Sequence, residues 1–163
     1  DGVLVLREQL AKQFLQRDQL QLDPVTEITI TPGATIAIFC AIQACIHADD
    51  EVIIFDPSYD SYAPAVQLAG GKSVHIHLEA PTFQVNWQKV KDCINAKTRM
   101  IIVNTPHNPT GAIWSEQDWH QLIELIQDKN IVVLSDEVYE HLVFDGQNIL
   151  VHCNSPNYVN AVM

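Results

Sequence analysis

Apolar residues recur at helical spacing near the start of the chain, at Val3, Leu6, Leu10 and Phe14, with Arg7, Glu8, Lys12 and Arg17 between them. A period of three to four residues gives a helix one apolar face, so this stretch predicts an amphipathic helix packed on one face of a sheet. Ile28-Thr29-Ile30-Thr31 then alternates with the two-residue period of a short strand and enters the turn Pro32-Gly33-Ala34-Thr35. The apolar residues 34–46 predict a buried helix ending near His47, too short to span a bilayer. Residues 52–55 are a continuous apolar run of strand length, followed by the loop Asp56-Pro57-Ser58-Tyr59-Asp60-Ser61-Tyr62 and a helix over 63–69 that stops at Gly70-Gly71.

Along residues 73–78, Val74, Ile76 and Leu78 alternate with His75 and His77, the pattern of a half-exposed strand. His-x-His on such a face could hold a metal, but with no third ligand nearby in sequence the exposed strand face is the better reading. Further on, residues 87–95 predict a helix and 100–103 a buried strand. Ser115-Glu116-Gln117-Asp118 resembles a capping box opening a helix that bears Trp119, Leu122, Ile123 and Ile126. Residues 131–134 predict another buried strand and 159–163 a further one, whereas the tail from Asn148 to that point shows no clear period. Strands alternating with helices predict an α/β fold, a three-layer sandwich around a mostly parallel sheet.

Composition narrows the function classes. The chain has 163 residues, 47% of them hydrophobic and 18% charged, and a net charge of -11. That describes one acidic globular domain and argues against nucleic acid or an anionic membrane as partner. Cys40, Cys45, Cys93 and Cys153 lack Cys-x-x-Cys spacing, which predicts reduced, buried thiols in a cytoplasmic setting rather than zinc or disulfides. No signal peptide precedes the first helix, and without an initial Met the sequence reads as cut from a longer protein at both ends.

The candidate chemistry lies where the strands end. Residues 104–111, Asn-Thr-Pro-His-Asn-Pro-Thr-Gly, follow an apolar strand, and two prolines stiffen a loop that can hold the amide of Asn108 in one place. Gly33, Ala34 and Thr35 open a helix with free backbone N–H groups, a hydroxyl and the positive end of the helix dipole, which together suit a phosphate. Asp136 follows four apolar strand residues and needs a cation or donor there, because an unpaired buried carboxylate is costly. No Lys or Arg occurs between Asn130 and Met163, so a cationic ligand is a reasonable partner, with a donor such as Ser135 as the structural alternative. Tyr139 could aim a phenol at the same place and Tyr59 could offer a flat face for stacking. In an open parallel sheet such ends share one edge, and a ligand with a phosphate, a flat ring, a protonated ring nitrogen and an oxyanion would use all of these features. Pyridoxal 5'-phosphate fits that description.

Taken in order, Thr31-Pro32-Gly33-Ala34-Thr35, the loop 56–62, residues 104–111 and Ser135-Asp136-Glu137-Val138-Tyr139 resemble the class I/II aminotransferases of pyridoxal-phosphate fold type I. The sequence Asp136-Glu137-Val138-Tyr139-Glu140-His141 with Phe144 is most similar to the branch acting on methionine, glutamine, kynurenine and aromatic amino acids. The resemblance implies that Asp136 holds the proton on the pyridine nitrogen, Asn108 and Tyr139 donate to the phenolate oxygen, Gly33, Ala34 and Thr35 bind the phosphate, and Tyr59 stacks on the ring. It also implies amino acids and 2-oxo acids as small-molecule partners, a homodimer, and a cis peptide before Pro109.

The same resemblance implies that residues 1–163 are part of the cofactor-binding large domain, without the N-terminal segment and the C-terminal small domain. It places the lysine that forms the Schiff base about thirty residues past the aspartate, yet no lysine follows Lys129, so the chain alone is expected to be inactive. A carbon-sulfur β-lyase using the same cofactor, or a non-catalytic module of this fold, remain alternatives. A generic nucleotide-binding domain is disfavoured by the absence of Gly-x-Gly-x-x-Gly and Gly-Lys-Thr/Ser.

Overall fold

The computed structural model describes residues 2–144 and, as backbone, 158–161. Five strands, β1 (Glu51–Asp56), β2 (Lys72–His77), β3 (Thr98–Asn104), β4 (Val132–Asp136) and β5 (Tyr158–Ala161), form one sheet in the order β2-β1-β3-β4-β5, and every pairing is parallel. The helices are α1 (Leu4–Asp18), α2 (Ala34–Cys45), α3 (Tyr62–Leu68), α4 (Trp87–Cys93) and α5 (Glu116–Ile126).

Strand alternation divides the core in two. Val52, Ile54, Met100, Ile102 and Leu134 face one way and meet Ile38 and Ile42 of α2 and Ala65 and Val66 of α3. The intervening Ile53, Phe55, Ile101, Val103 and Val133 face Val90 of α4 and Trp119, Leu122 and Ile126 of α5. The result is the three-layer sandwich expected from the pattern, with near-continuous apolar strands because both sheet faces are covered.

Helix α5 begins where its sequence says it should. The Ser115 hydroxyl accepts from the Asp118 backbone N–H at 3.2 Å and the Ser115 N–H donates to Asp118 Oδ2 at 2.8 Å. Trp87 Nε1 donates to Asp118 Oδ1 at 2.9 Å, which ties α4 to the same cap. We expect Ser115→Ala to lower the unfolding free energy by about 1 kcal/mol, read as a shift of the urea midpoint at unchanged slope.

Several expectations need correction. Residues 28–31 form no strand, because no neighbouring strand lies beside them among the described residues. Helix α1 does not pack on the sheet: Val3, Leu4, Val5 and Leu6 are exposed and its one buried residue is Arg7. Arg7 Nη1 donates to the carbonyls of Pro24 and Val25, and Arg17 pairs with Glu140 at 2.7 Å, so polar contacts hold this helix at both ends. Helix α2 is buried on one side through Ile38 and Ile42 but leaves Ile36, Phe39 and Cys40 exposed. The thiols are free but not buried, since Cys40 is exposed and Cys45 and Cys93 are half-buried, whereas Cys153 and the unpatterned tail up to residue 157 lie outside the described residues.

His75 and His77 do lie on an exposed strand face, where Asp56 Oδ2 is 2.9 Å from His75 Nδ1 and 3.8 Å from His77 Nδ1. Among the described residues no group of three or more His, Cys, Asp or Glu is placed to hold a metal, and no helix is long and apolar enough to cross a membrane.

Candidate cofactor site

From β1 the chain moves through α3 to β2 on one side, and from β3 it moves through α5 to β4 on the other. The strand order therefore reverses between β1 and β3, and it is beyond the carboxyl ends at such a reversal that open parallel sheets bind ligands. Residues 56–61 leave β1 there, residues 105–115 leave β3, and β4 ends beside them at Asp136, in register with Asn104.

Asp136 is 3% exposed and follows Leu134 onto the α2/α3 face of the sheet. Among the described residues its partners are a hydroxyl and a backbone N–H, the kind of donor expected as the structural alternative, although the hydroxyl is not that of Ser135. Tyr62, the first residue of α3, donates its hydroxyl to Asp136 Oδ2 at 2.6 Å, while the Val138 N–H reaches Oδ1 at 3.2 Å. Ser135 instead donates to Glu137 Oε1 at 2.8 Å. Burial pushes the Asp136 carboxyl above the ordinary carboxylate range, and the two donors pull it only partly back. The same pair drives the Tyr62 phenol far above its usual range, first through burial and then through the adjacent carboxylate, so it stays a donor.

Asn108 is fixed from below. Asn104, buried at the end of β3, accepts the Asn108 backbone N–H at 2.7 Å and donates to the Asp136 carbonyl at 2.9 Å. The Asn108 amide then points toward Tyr139, with Nδ2 to hydroxyl at 3.5 Å, the outer limit of a hydrogen bond. The peptide before Pro109 is cis, as the resemblance implies, and so is the one before Pro106. His107 closes the loop: its Nδ1 lies 2.7 Å from the Thr110 hydroxyl, its ring donates to the Phe55 carbonyl, and its N–H bonds the Ala112 carbonyl at 2.8 Å.

Burial lowers the His107 pKa, so the ring is neutral in the fold. A depressed folded-state pKa gives stability that is present above the unfolded value, about 6.5, and is lost as pH falls through the folded value. We expect the His107 contribution to the unfolding free energy to fall as the pH drops below about 6.5, and His107→Gln to flatten that slope in parallel urea titrations.

On the other wall Gly33 has φ +95°, a left-handed conformation that favours glycine, and leads into α2. A Cβ at Gly33 would meet nothing within 4 Å, so space lies open beside this helix start. Thr35 is exposed, and its hydroxyl shares a hydrogen bond with the Tyr59 hydroxyl at 3.2 Å. Tyr59 in turn stands edge-on to Tyr62 with ring centroids 5.7 Å apart.

The structure thus joins Thr35 to Tyr59, Tyr59 to Tyr62, Tyr62 to Asp136, and Asp136 through Asn104 to Asn108 and Tyr139. Sequence reasoning assigned no role to Tyr62, Asn104 or His107. The available signal for Asn104 was parity, since it follows Ile102 onto the face that also carries Asp136. A cavity of about 660 Å³ lined by His47, Lys97, Arg99 and Lys129 lies at the opposite edge of the sheet and touches none of these residues.

The open parallel α/β sheet thus gathers a buried carboxylate, fixed amides and a helix start at its switch point, the position at which sheets of this class bind ligands. This chain belongs to the aminotransferase class I and II family, whose profile matches residues 1–163. It is 44% identical over 154 residues to a methionine aminotransferase of Escherichia coli, a match covering 93% of this chain and 40% of the relative. An aspartate aminotransferase of Sulfolobus acidocaldarius is 42% identical over 124 residues, covering 74% of this chain and 31% of its own length. Among solved structures, the Escherichia coli methionine aminotransferase superposes with a TM-score of 0.94 at 42% identity, covering 98% of this chain and 43% of that one. An aromatic aminotransferase of Pyrococcus horikoshii gives 0.92 at 34% identity, with 98% and 44% covered. The chain therefore spans less than half the length of these relatives.

Proposed function

We propose that this chain is the pyridoxal-phosphate-binding part of an aminotransferase that moves an amino group from an α-amino acid to a 2-oxo acid. The observation that carries this reading is Asp136, a buried carboxylate with its charge uncompensated by any cation described near it, set among fixed donors at the sheet's switch point. A ligand carrying a protonated ring nitrogen supplies the missing charge, so the donor set fits the cofactor. When bound, pyridoxal phosphate supplies a ring that accepts the electrons released at the substrate's α-carbon and carries the amino group between substrates.

The chain's own residues hold and orient that ring. Asp136 would keep the proton on the ring nitrogen, and Asn108 and Tyr139, whose amide and hydroxyl are 3.5 Å apart, would donate to one ring oxygen. Gly33, Ala34 and Thr35 offer the start of α2 to the phosphate, and Tyr59, tethered by Thr35, offers its ring as a stacking surface.

Length supports the rest of the proposal. A chain covering 40% of the relative it matches fits a partial large domain, with an N-terminal segment, a small domain and the Schiff-base lysine supplied by a longer protein. The lysines with described partners lie away from the cluster, Lys72 on Asp49, Lys89 on Glu79 and Lys129 on the Leu125 carbonyl. Exposed apolar residues on α1 and α2, Val3 to Leu6 and Ile36 and Phe39, suit burial in a homodimer or by the rest of that protein. Similarity to methionine and aromatic aminotransferases supports amino acids of the methionine or aromatic type for that protein, and the motif resemblance extends the proposal to glutamine and kynurenine and to a cytoplasmic enzyme.

Pyridoxamine 5'-phosphate tests the reading, because it lacks the aldehyde that would react with surface lysines. We expect the chain to bind it, and to form no oxo acid when given pyridoxal phosphate and methionine. Failure to bind, or measurable oxo-acid production, would overturn the respective half of the proposal.

A further inference from the structure

Tyr62 is 2% exposed and gives its hydroxyl proton to Asp136 across 74 positions of sequence. Packing alone does not ask for that hydroxyl. The ring fills the α2/α3 side of the core beside Val66 and Leu134 and stands edge-on to Tyr59, contacts that a phenylalanine would make equally well. The hydroxyl adds a buried polar group, and its one described partner is the carboxylate.

An ionised carboxylate offers about four acceptor positions. Tyr62 occupies one on Oδ2 and the Val138 N–H one on Oδ1, which leaves a position on each oxygen for a ligand. With both oxygens held from the protein side, the plane of the carboxylate is fixed before any ligand arrives.

We propose that Tyr62 is a positioning residue for the cofactor ring: its hydroxyl, donating to Asp136 Oδ2, orients the carboxylate and favours its ionised form for the ring nitrogen. This rests on the pyridoxal-phosphate reading above. Burial works against ionisation of Asp136, and of the two donors that oppose it the Tyr62 hydroxyl is the stronger. The titratable groups around the pair are Tyr59, from the loop after β1, and Tyr139, from the turn after β4. Both are phenols, and neither brings positive charge to Asp136. Without the Tyr62 proton the carboxyl rises further, and a protonated acid cannot balance a cationic ring.

The test compares the full chain with Tyr62→Phe, using ¹³C-carboxyl labelled aspartate and assigning Asp136 by its loss in Asp136→Asn. In the ligand-free chain the Asp136 titration midpoint should rise by about one pH unit in Tyr62→Phe. Pyridoxamine 5'-phosphate affinity at about pH 7.5 should fall about tenfold, as expected for loss of a hydrogen bond to a charged group. An unmoved Asp136 titration overturns the proposal whatever the ligand does, because a purely packing role leaves the carboxylate untouched. A moved titration in a chain whose wild type does not bind the ligand overturns the cofactor reading instead, and leaves Tyr62 as the group that ionises Asp136. Should Tyr62→Phe fail to fold, ¹³Cζ-tyrosine labelling of the wild type decides the matter. The Tyr62 resonance should step at the Asp136 midpoint, and absence of that step overturns the proposal.

Discussion

Asp136→Asn should abolish pyridoxamine 5'-phosphate binding without lowering the melting temperature of the ligand-free chain. The two halves of this result have one cause. Burial raises the folded-state pKa of Asp136, and a raised pKa gives stability that is present below the unfolded value and lost as pH rises through the folded one. Ionised Asp136 is therefore unfavourable in the ligand-free fold in a way that asparagine is not, while the amide oxygen can still accept the Tyr62 hydroxyl. Binding depends on that charge. Removing one partner of a buried ion pair costs about 3–5 kcal/mol, so affinity should fall by at least about 100-fold. Calorimetric titration and thermal unfolding of the same samples provide both readings. An equal loss in Asp60→Asn, an exposed neighbour outside the cluster, would count against a specific role for Asp136. A longer protein carrying this segment should lose transamination by orders of magnitude in Asp136→Asn and far less in Asp60→Asn.

The second large effect falls on Asn104, which holds two strand ends and a loop together. Its amide accepts the Asn108 N–H and donates to the Asp136 carbonyl, so one side chain sets the distance between two of the proposed cofactor contacts. Alanine leaves the Asn108 N–H without its acceptor, whereas the Asp136 carbonyl keeps the Thr105 N–H at 3.2 Å. A lost hydrogen bond with a stranded donor costs about 1–3 kcal/mol. We expect Asn104→Ala to lower the unfolding free energy by that amount and to speed exchange of the Asn108 amide proton. Pyridoxamine 5'-phosphate affinity should fall as well. Unchanged Asn108 exchange would show that the two prolines hold the loop without Asn104.

These two residues also show where reading the sequence succeeds and stops. Asp136 was legible because four apolar strand residues ending in a carboxylate create an electrostatic demand that the nearby chain does not meet. The particular donor within the chain was not legible: Tyr62 lies 74 positions away, and Ser135, the hydroxyl named as an example, turns to Glu137 instead. Asn104 stood inside the most conspicuous stretch of the chain, yet nothing in the letters showed that its amide faces inward to Asp136 while that of Asn108 faces Tyr139.

Errors of fold share that origin. Ile28 to Thr31 has strand periodicity, but a strand needs a neighbour for its hydrogen bonds, and none lies beside it among the described residues. The apolar spacing of α1 correctly predicted a helix, whereas its packing on the sheet depended on a surface that the described residues do not offer it. The cysteines were judged by residue type, and their exposure was fixed by which sides of α2 and α4 the core uses.

The sequence by itself determined the order and kind of the helices and of the strands of the sheet, the layered α/β fold and the strand-end residues that mark the family, because periodicity and turn chemistry act over neighbouring residues. Tertiary structure alone decided which donor meets which acceptor. A polar side chain states that it needs a partner, but hydrogen bonds and ion pairs are contacts in space, and only the folded chain brings Tyr62 to Asp136 and Asn104 beneath Asn108.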